Sequence, residues 1–337
     1  MTYDLIVIGG GPAGYLAAER AGHEGLKTLL IEKRFIGGVC LNEGCIPSKA
    51  LLYSAKAYEY AKHGEKYGVA AENVSLNHST VIDRKNRVVK TLVSGVKSQL
   101  RKNKVTVVEG EAKITGRSGE GYTVTANGET YTGKRLLIAA GSVPVVPPIP
   151  GAKEGLEKGY ILTNREILDI PSVPDSLVII GGGVIGLEMA SYFNTAGSKV
   201  TIIEMLDHIA GPTDREISEI LLKNYQQKGI EFKLNSKVVE IKEGAVVYEA
   251  DGQKFNVQAE KILMSIGRRA ATEGLGLENI GVELDRGRIK IDERGRTNIP
   301  EVYAAGDING FSMLAHTAYR EAEVCINNII CKKDIIR

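Results

Sequence analysis

An α/β chain built from two copies of one doubly wound unit is the fold class the sequence predicts, on three observations. First, Val7-Ile8-Gly9-Gly10-Gly11-Pro12-Ala13-Gly14 recurs as Ile179-Ile180-Gly181-Gly182-Gly183-Val184-Ile185-Gly186. Second, each copy follows an apolar strand, opens an apolar-periodic helix and leads to a second strand, at 28–31 or 200–203. Third, that second strand ends in an acidic residue, Glu32 or Glu204, each 23 residues after the first glycine of its motif. Strand, glycine turn, helix and strand in this order form the βαβ unit that takes a pyrophosphate on its helix N-terminus. The two copies predict two Rossmann-like nucleotide-binding domains, which suits 337 residues at roughly 150 per domain.

The elements follow in order. Thr2-Tyr3-Asp4 leads directly into Leu5-Ile6-Val7-Ile8, which reads as the first strand of a fold rather than a signal peptide. Residues 79–102 place Val81, Ile82, Val88, Val89, Leu92, Val93, Val96 and Leu100 at helical spacing, a long amphipathic helix. Residues 105–131 alternate like a small antiparallel sheet, with turns at Ser118-Gly119 and Asn127-Gly128. A buried strand at 136–140 closes at Gly141-Ser142, and the Pro-rich stretch 143–150 reads as the linker to the second unit. A second meander is expected over 238–248 and 254–257, and a strand over 262–266 ends at Gly267. A last strand at 302–305 precedes Gly306-Asp307, followed by a helix from about Met313 to Ile330.

Composition removes several function classes. Lys and Arg total 43 against 41 Asp and Glu, leaving +2, so no electrostatic footprint for nucleic acid exists. Trp is absent and aromatics are 6%, which leaves no base-stacking platform. Apolar runs are broken by glycine well short of the roughly 20 residues a membrane span needs. A cytoplasmic protein is expected, with neither nucleic acid nor membrane as partner. The 39 glycines belong to turns and ligand loops, since no low-complexity period accompanies them.

Four cysteines are too few for a disulfide scaffold. Two lie in Gly37-Gly38-Val39-Cys40-Leu41-Asn42-Glu43-Gly44-Cys45-Ile46-Pro47-Ser48-Lys49. Taken bare, this spacing describes a redox pair or two core thiols. Its position just after the first βαβ unit, with Lys49 four residues beyond Cys45, favours the redox pair. A zinc site wants two more ligands close by and none is placed there, so no metal is expected.

With these motifs, and with Glu188, Ser265-Ile266-Gly267-Arg268 and Ala304-Ala305-Gly306-Asp307, the chain resembles the disulfide-reducing pyridine-nucleotide flavoenzymes along its whole length. Within them it is most similar to the dihydrolipoamide dehydrogenases. The resemblance implies two Rossmann-like FAD/NAD(P)-binding domains of three-layer β/β/α organisation with small antiparallel meanders. It implies an FAD-binding domain at 1–145, an inserted NAD-binding domain at 146–268, and a return segment at 269–337 completing the first.

By the same resemblance, Cys40 and Cys45 form the redox disulfide, and Lys49 pairs with Glu188 beside the flavin. Gly9, Gly11, Pro12, Ala13, Gly14, Glu32, Lys33, Gly38, Val39, Ala140, Gly141, Gly306, Asp307, Met313, Leu314 and Ala315 would hold FAD. Gly181, Gly183, Val184, Ile185, Gly186, Glu204 and Gly267 would hold NAD, the Glu204 carboxylate disfavouring a 2′-phosphate. The implied activity is oxidation of protein-bound dihydrolipoamide with reduction of NAD+. The implied partner is a lipoyl-bearing protein of a 2-oxo acid dehydrogenase complex or of the glycine cleavage system.

The family carries a further C-terminal interface domain that makes a homodimer and supplies a His–Glu base to the partner's site. This sequence ends at Ile335-Ile336-Arg337, and none of its five histidines lies in a comparable context. The expectation is therefore a chain, monomeric in this form, that keeps both cofactor sites but is impaired in full turnover. The alternatives are a binding module with diaphorase-type activity only, or another NADH-dependent disulfide reductase of the superfamily.

Blander readings apply elsewhere. His316 takes a structural or supporting role, and Cys325 and Cys331 are core or interface thiols. The run Arg84-Lys85-Asn86-Arg87 is a solvated helix face, and Tyr53, Tyr58, Tyr60 and Tyr67 are packing residues.

Overall fold

A computed structural model of the protein describes residues 2–336; the terminal Met1 and Arg337 of the two outer expected segments lie outside them. The chain forms two compact units. One holds the residues up to Cys45, Val89–Val143 and the stretch from Arg268 onward, and the other holds Ile46–Val88 and Pro144–Gly267. Residues 46–88 group with the second unit because Leu51, Ala55, Val81 and Ile82 pack into its core.

The first unit is built on a five-stranded parallel sheet in the order Val302–Ala304, Leu136–Ile138, Leu5–Ile8, Thr28–Glu32, Thr106–Glu109. All but the exposed edge strand Thr106–Glu109 are buried on both faces, which is why they read as unbroken apolar runs rather than alternating ones. Side chains of one parity (Ile6, Ile8, Leu29, Ile31, Leu136, Ile138) pack against Ile114, Tyr122 and Val124 of an antiparallel meander, Lys113–Ser118, Gly121–Ala126 and Glu129–Gly133. The other parity faces the helices Pro12–His23 and Ala315–Ile329, where Tyr15 meets Tyr319 edge-on. The layers are β/β/α. The Asn127-Gly128 turn holds both residues at positive φ, as a tight hairpin requires.

The second unit repeats the plan. Its sheet runs Ile161–Leu162, Lys261–Met264, Ser176–Ile180, Lys199–Ile203, Glu231–Lys233, all parallel. Val178, Ile180, Ile203, Ile262 and Met264 pack against the meander Lys237–Lys242, Ala245–Ala250 and Gln253–Gln258. Leu177, Ile179, Val200 and Ile202 pack against Leu187, Met189, Tyr192 and Phe193 of the helix Val184–Ala196.

Four local readings are corrected. Thr106–Glu109 is the edge strand of the parallel sheet, not part of the meander, because alternation alone does not reveal which neighbour a strand pairs with. The last helix starts at Ala315, so Met313 precedes it and Leu314 is its N-cap. Lys85 is buried against Asp169, and Arg84 donates to the Ala50 carbonyl at 3.0 Å, so only Asn86 and Arg87 of the charge run lie on an exposed face. Tyr53, Tyr60 and Tyr67 are exposed, with Arg84 over the ring of Tyr53 and Lys56 over that of Tyr60.

Candidate active site

Both glycine loops sit at the carboxyl end of a parallel sheet, at the point where strand order reverses and such folds take ligands. Gly9 holds φ +103°, and an added Cβ would lie 2.3 Å from the Ala139 carbonyl oxygen. Gly181 repeats this at φ +106° with the Ser265 carbonyl oxygen at 2.6 Å. A Cβ on Gly14 would lie 1.8 Å from the Gly9 oxygen, and one on Gly186 would lie 2.4 Å from the Gly181 oxygen. These four are glycine for the chain's own packing.

Gly11 and Gly183 are glycine for another reason. Their backbones are extended, at φ −74° and −76°, which any residue adopts. A Cβ at Gly183 would meet nothing within 4 Å, and one at Gly11 only the Gly38 Cα at 3.8 Å. They are the N-caps of the helices Pro12–His23 and Val184–Ala196, neither of which has an acidic residue in its first turn. Bare backbone, inward N–H groups and a positive helix end fit a pyrophosphate on each loop. Pro12 and Ala13, and Val184 and Ile185, open those helices.

Each acidic residue braces its own loop. Glu32 accepts from the amides of Gly10 at 2.6 Å and Arg34 at 2.7 Å. Glu204 accepts from those of Gly182 at 2.6 Å and Leu206 at 2.8 Å. Lone pairs remain on both carboxylates for ribose hydroxyls. Beyond Glu204, hydrogen bonds from His208 at 2.6 Å and Arg215 at 2.9 Å hold the Asp207 carboxyl down at about 2. Val184, Met205, Leu206 and Ile266 are exposed apolar residues at the carboxyl ends of three consecutive strands. Gly267 follows them at φ +131°.

Cys40 and Cys45 are joined in a disulfide with Cα atoms 4.6 Å apart. Five residues along one continuous helix would turn the two side chains about 140° apart. The helix Gly38–Glu43 stops at Gly44, and Cys45 opens the next, Cys45–Lys62, so the break brings the sulfurs together. Gly38, at φ +58°, lets this segment approach the first loop: a Cβ there would lie 2.5 Å from the Gly11 Cα. Both cysteines and Val39 are half-buried, and Lys33 is exposed in an ion pair with Glu111 at 3.6 Å. Lys49, one turn along the helix from Cys45, donates to Glu188 at 2.6 Å within the second unit.

In the first unit Asp307 accepts from Ser142 Oγ at 2.5 Å, and that hydroxyl accepts in turn from Arg268 Nε at 2.8 Å. Ala140 and Gly141, the latter at φ +72° with open space in front of it, lead into Ser142. Gly306 adopts φ +81°. The Ala315 helix has no side-chain cap and no acidic residue in its first turn, and His316 there is exposed. Reading the sequence assigned no role to Ser142, and it placed Ser265 only within a motif, without its part in the loop: the Ser265 hydroxyl donates to the Ile180 and Gly181 carbonyls at 3.1 Å each. Both act on partners distant in sequence, so the local pattern does not reveal what they hold.

The sequence family described as pyridine nucleotide-disulphide oxidoreductase matches residues 3–322. The dihydrolipoyl dehydrogenase of Acholeplasma laidlawii is 44% identical over 329 residues, 97% of this chain and 96% of that protein. That of Mycoplasma pneumoniae is 41% identical over 336 residues, 99% of this chain and 72% of the relative. Among solved structures, the HOCl-induced flavoprotein disulfide reductase of Escherichia coli superposes with a TM-score of 0.85 at 27% identity, covering 99% of this chain and 72% of that one.

Proposed function

The chain belongs to the pyridine nucleotide-disulphide oxidoreductase family, and from that premise we propose that it is an FAD-dependent dihydrolipoyl dehydrogenase, with NAD+ as electron acceptor. The observation that carries the reading is the Cys40–Cys45 disulfide set directly behind the first of two dinucleotide cradles. When bound, FAD supplies the two-electron relay between the disulfide and the nicotinamide.

The chain's own residues divide the work. Gly9, Gly11, Gly14 and the amides after Gly11 hold the FAD pyrophosphate, Glu32 its ribose, and Asp307, oriented by Ser142, its ribitol. Lys33, Gly38, Val39, Ala140, Gly141 and Gly306 line that path, and the Met313-Leu314-Ala315 helix start lends its positive end to the flavin. Gly181, Gly183, Val184, Ile185, Gly186 and Gly267 hold NAD, with Glu204 on its ribose. A carboxylate at that position, with Arg215 and His208 already bonded to Asp207, disfavours NADPH.

A substrate thiolate attacks the Cys40 sulfur, and the Cys40–Cys45 bond breaks to release Cys45 as a thiolate. The second substrate thiol, deprotonated, attacks the substrate sulfur of that mixed disulfide, closing the lipoyl ring and releasing the Cys40 thiolate. The two electrons then reside on the cysteine pair. Lys49, neutralised by Glu188, balances charge as they leave. Partners on this reading are lipoyl-bearing proteins of 2-oxo acid dehydrogenase complexes or the glycine cleavage system, met in the cytoplasm.

Dithiol attack needs a base. The histidine–carboxylate contacts among the described residues, His63–Glu65 and His208–Asp207, both belong to the second unit, whereas the disulfide belongs to the first. This favours, as the second reading, fast electron transfer from NADH to an artificial acceptor and slower dihydrolipoamide turnover. General acid–base help is worth about 10²–10⁴-fold. Steady-state NADH formation from dihydrolipoamide and NAD+ tests the function: turnover that Cys40→Ser abolishes supports it, and turnover indifferent to that change overturns it.

A further inference from the structure

Glu321, on the helix Ala315–Ile329, is fully buried. Its Oε2 accepts from the Gly306 amide at 2.5 Å and from Asn309 Nδ2 at 2.8 Å, the residues on either side of Asp307 and Ile308. Its Oε1 has no hydrogen-bond partner among the described residues. A buried carboxyl with one oxygen unmatched is costly to keep, and its two bonds show what it holds. We propose that Glu321 is a positioning residue for the flavin, fixing from inside the protein the turn that presents Asp307.

The surroundings support this. Gly306 sits at φ +81°, where an added Cβ would lie 3.3 Å from the Ala13 Cβ and 3.5 Å from that of Ala318. The turn is therefore packed against the first turn of the pyrophosphate helix on one side and the C-terminal helix on the other. Asn309 carries the brace onward: its Oδ1 accepts from the Phe311 amide at 2.8 Å. Asp307 itself is tied at its side chain by Ser142. Glu321 thus sets the backbone of Asp307 while Ser142 sets its carboxylate. Burial, with Asp307 close by, pushes the Glu321 carboxyl up, against the lowering effect of its bonds from Gly306 and Asn309.

The inference rests on Asp307 as the flavin contact, and the experiment separates the two claims. FAD dissociation from the holoprotein is measured by flavin fluorescence for the wild type, Glu321→Ala, Glu321→Gln, Asp307→Ala and the Glu321→Ala/Asp307→Ala pair, with thermal denaturation of each apoprotein. Glutamine keeps the accepting oxygen and puts an amide where the unmatched oxygen lies. Its FAD affinity is expected within about 3-fold of wild type, and that of Glu321→Ala about 10–100-fold weaker. The double variant is expected to bind FAD no more weakly than Asp307→Ala, because Glu321 acts through Asp307. A merely structural role would lower every melting temperature and add to the Asp307 effect. Should Glu321→Ala fail to fold, Asn309→Ala removes one of the two bonds with the carboxyl in place, and its loss is likewise expected to vanish in the Asp307→Ala background. Wild-type affinity in Glu321→Ala, or losses that add in full, overturns the inference alone. Unchanged affinity in Asp307→Ala overturns the site reading on which it stands, and the inference with it.

Discussion

Lys49 Nζ donates to Glu188 Oε1 at 2.6 Å, with 62% of the lysine side chain and 22% of the glutamate's exposed. A pair this exposed contributes about 0–1 kcal/mol to stability, and the proposed mechanism gives it its role in charge balance instead. Lys49→Met is expected to leave the melting temperature almost unchanged while lowering dithiol–NAD+ turnover about 10²-fold. Glu188→Gln should act in the same direction, and the double variant should be no worse than Lys49→Met. Thermal denaturation beside steady-state rates checks all three.

Glycines that look equivalent in the motif should respond differently. Gly14→Ala puts a Cβ 1.8 Å from the Gly9 oxygen and is expected to destabilise the apoprotein severely. Gly183→Ala meets open space and Gly11→Ala only an ordinary contact with the Gly38 Cα at 3.8 Å, so both apoproteins should have stabilities within about 1 kcal/mol of wild type. Gly11→Ala should selectively weaken FAD binding and Gly183→Ala selectively weaken NADH binding. Calorimetry of the apoproteins and titration with each cofactor distinguish the two groups.

Glu204→Ala should narrow the preference for NADH over NADPH by about tenfold, the order expected when one charged hydrogen bond is removed. Because Glu204 also holds the Gly182 and Leu206 amides, NADH affinity should fall as well. An unchanged NADH/NADPH ratio would remove Glu204 from the ribose. The ratio of kcat/KM values for the two nucleotides is the measurement.

Asp4 offers a pH test of the fold. A hydrogen bond from Lys134 and one from the Lys27 amide hold its carboxyl below the ordinary carboxylate range. The stability it contributes is complete above the ordinary aspartate value of about 3.9 and is lost as pH falls through the lowered folded value. Asp4→Asn should therefore cost about 1 kcal/mol at neutral pH and progressively less in acid. Urea denaturation across pH measures the difference.

What was legible in the sequence was what is local. The two glycine loops, their acidic partners, Cys40 and Cys45 each sit in a pattern short enough to read. Lys85 reads as solvated because its neighbours are charged, yet its partner Asp169 lies 84 residues away. Thr106–Glu109 alternates like a meander strand but pairs in parallel with Thr28–Glu32, a choice made by tertiary packing. Ser142 and Glu321 are invisible for the same reason: each acts on a turn more than ten residues distant in sequence.

Cysteine alkylation with and without NADH, read by mass spectrometry on the FAD-loaded protein, tests the central claim most directly. Burial pushes the Cys325 thiol up, and it should stay unlabelled, whereas exposed Cys331 should label in both states. The account predicts that NADH makes Cys40 and Cys45 newly reactive, together and only when FAD is bound. Cys40 and Cys45 remaining unreactive after NADH, or opening without FAD, would contradict it.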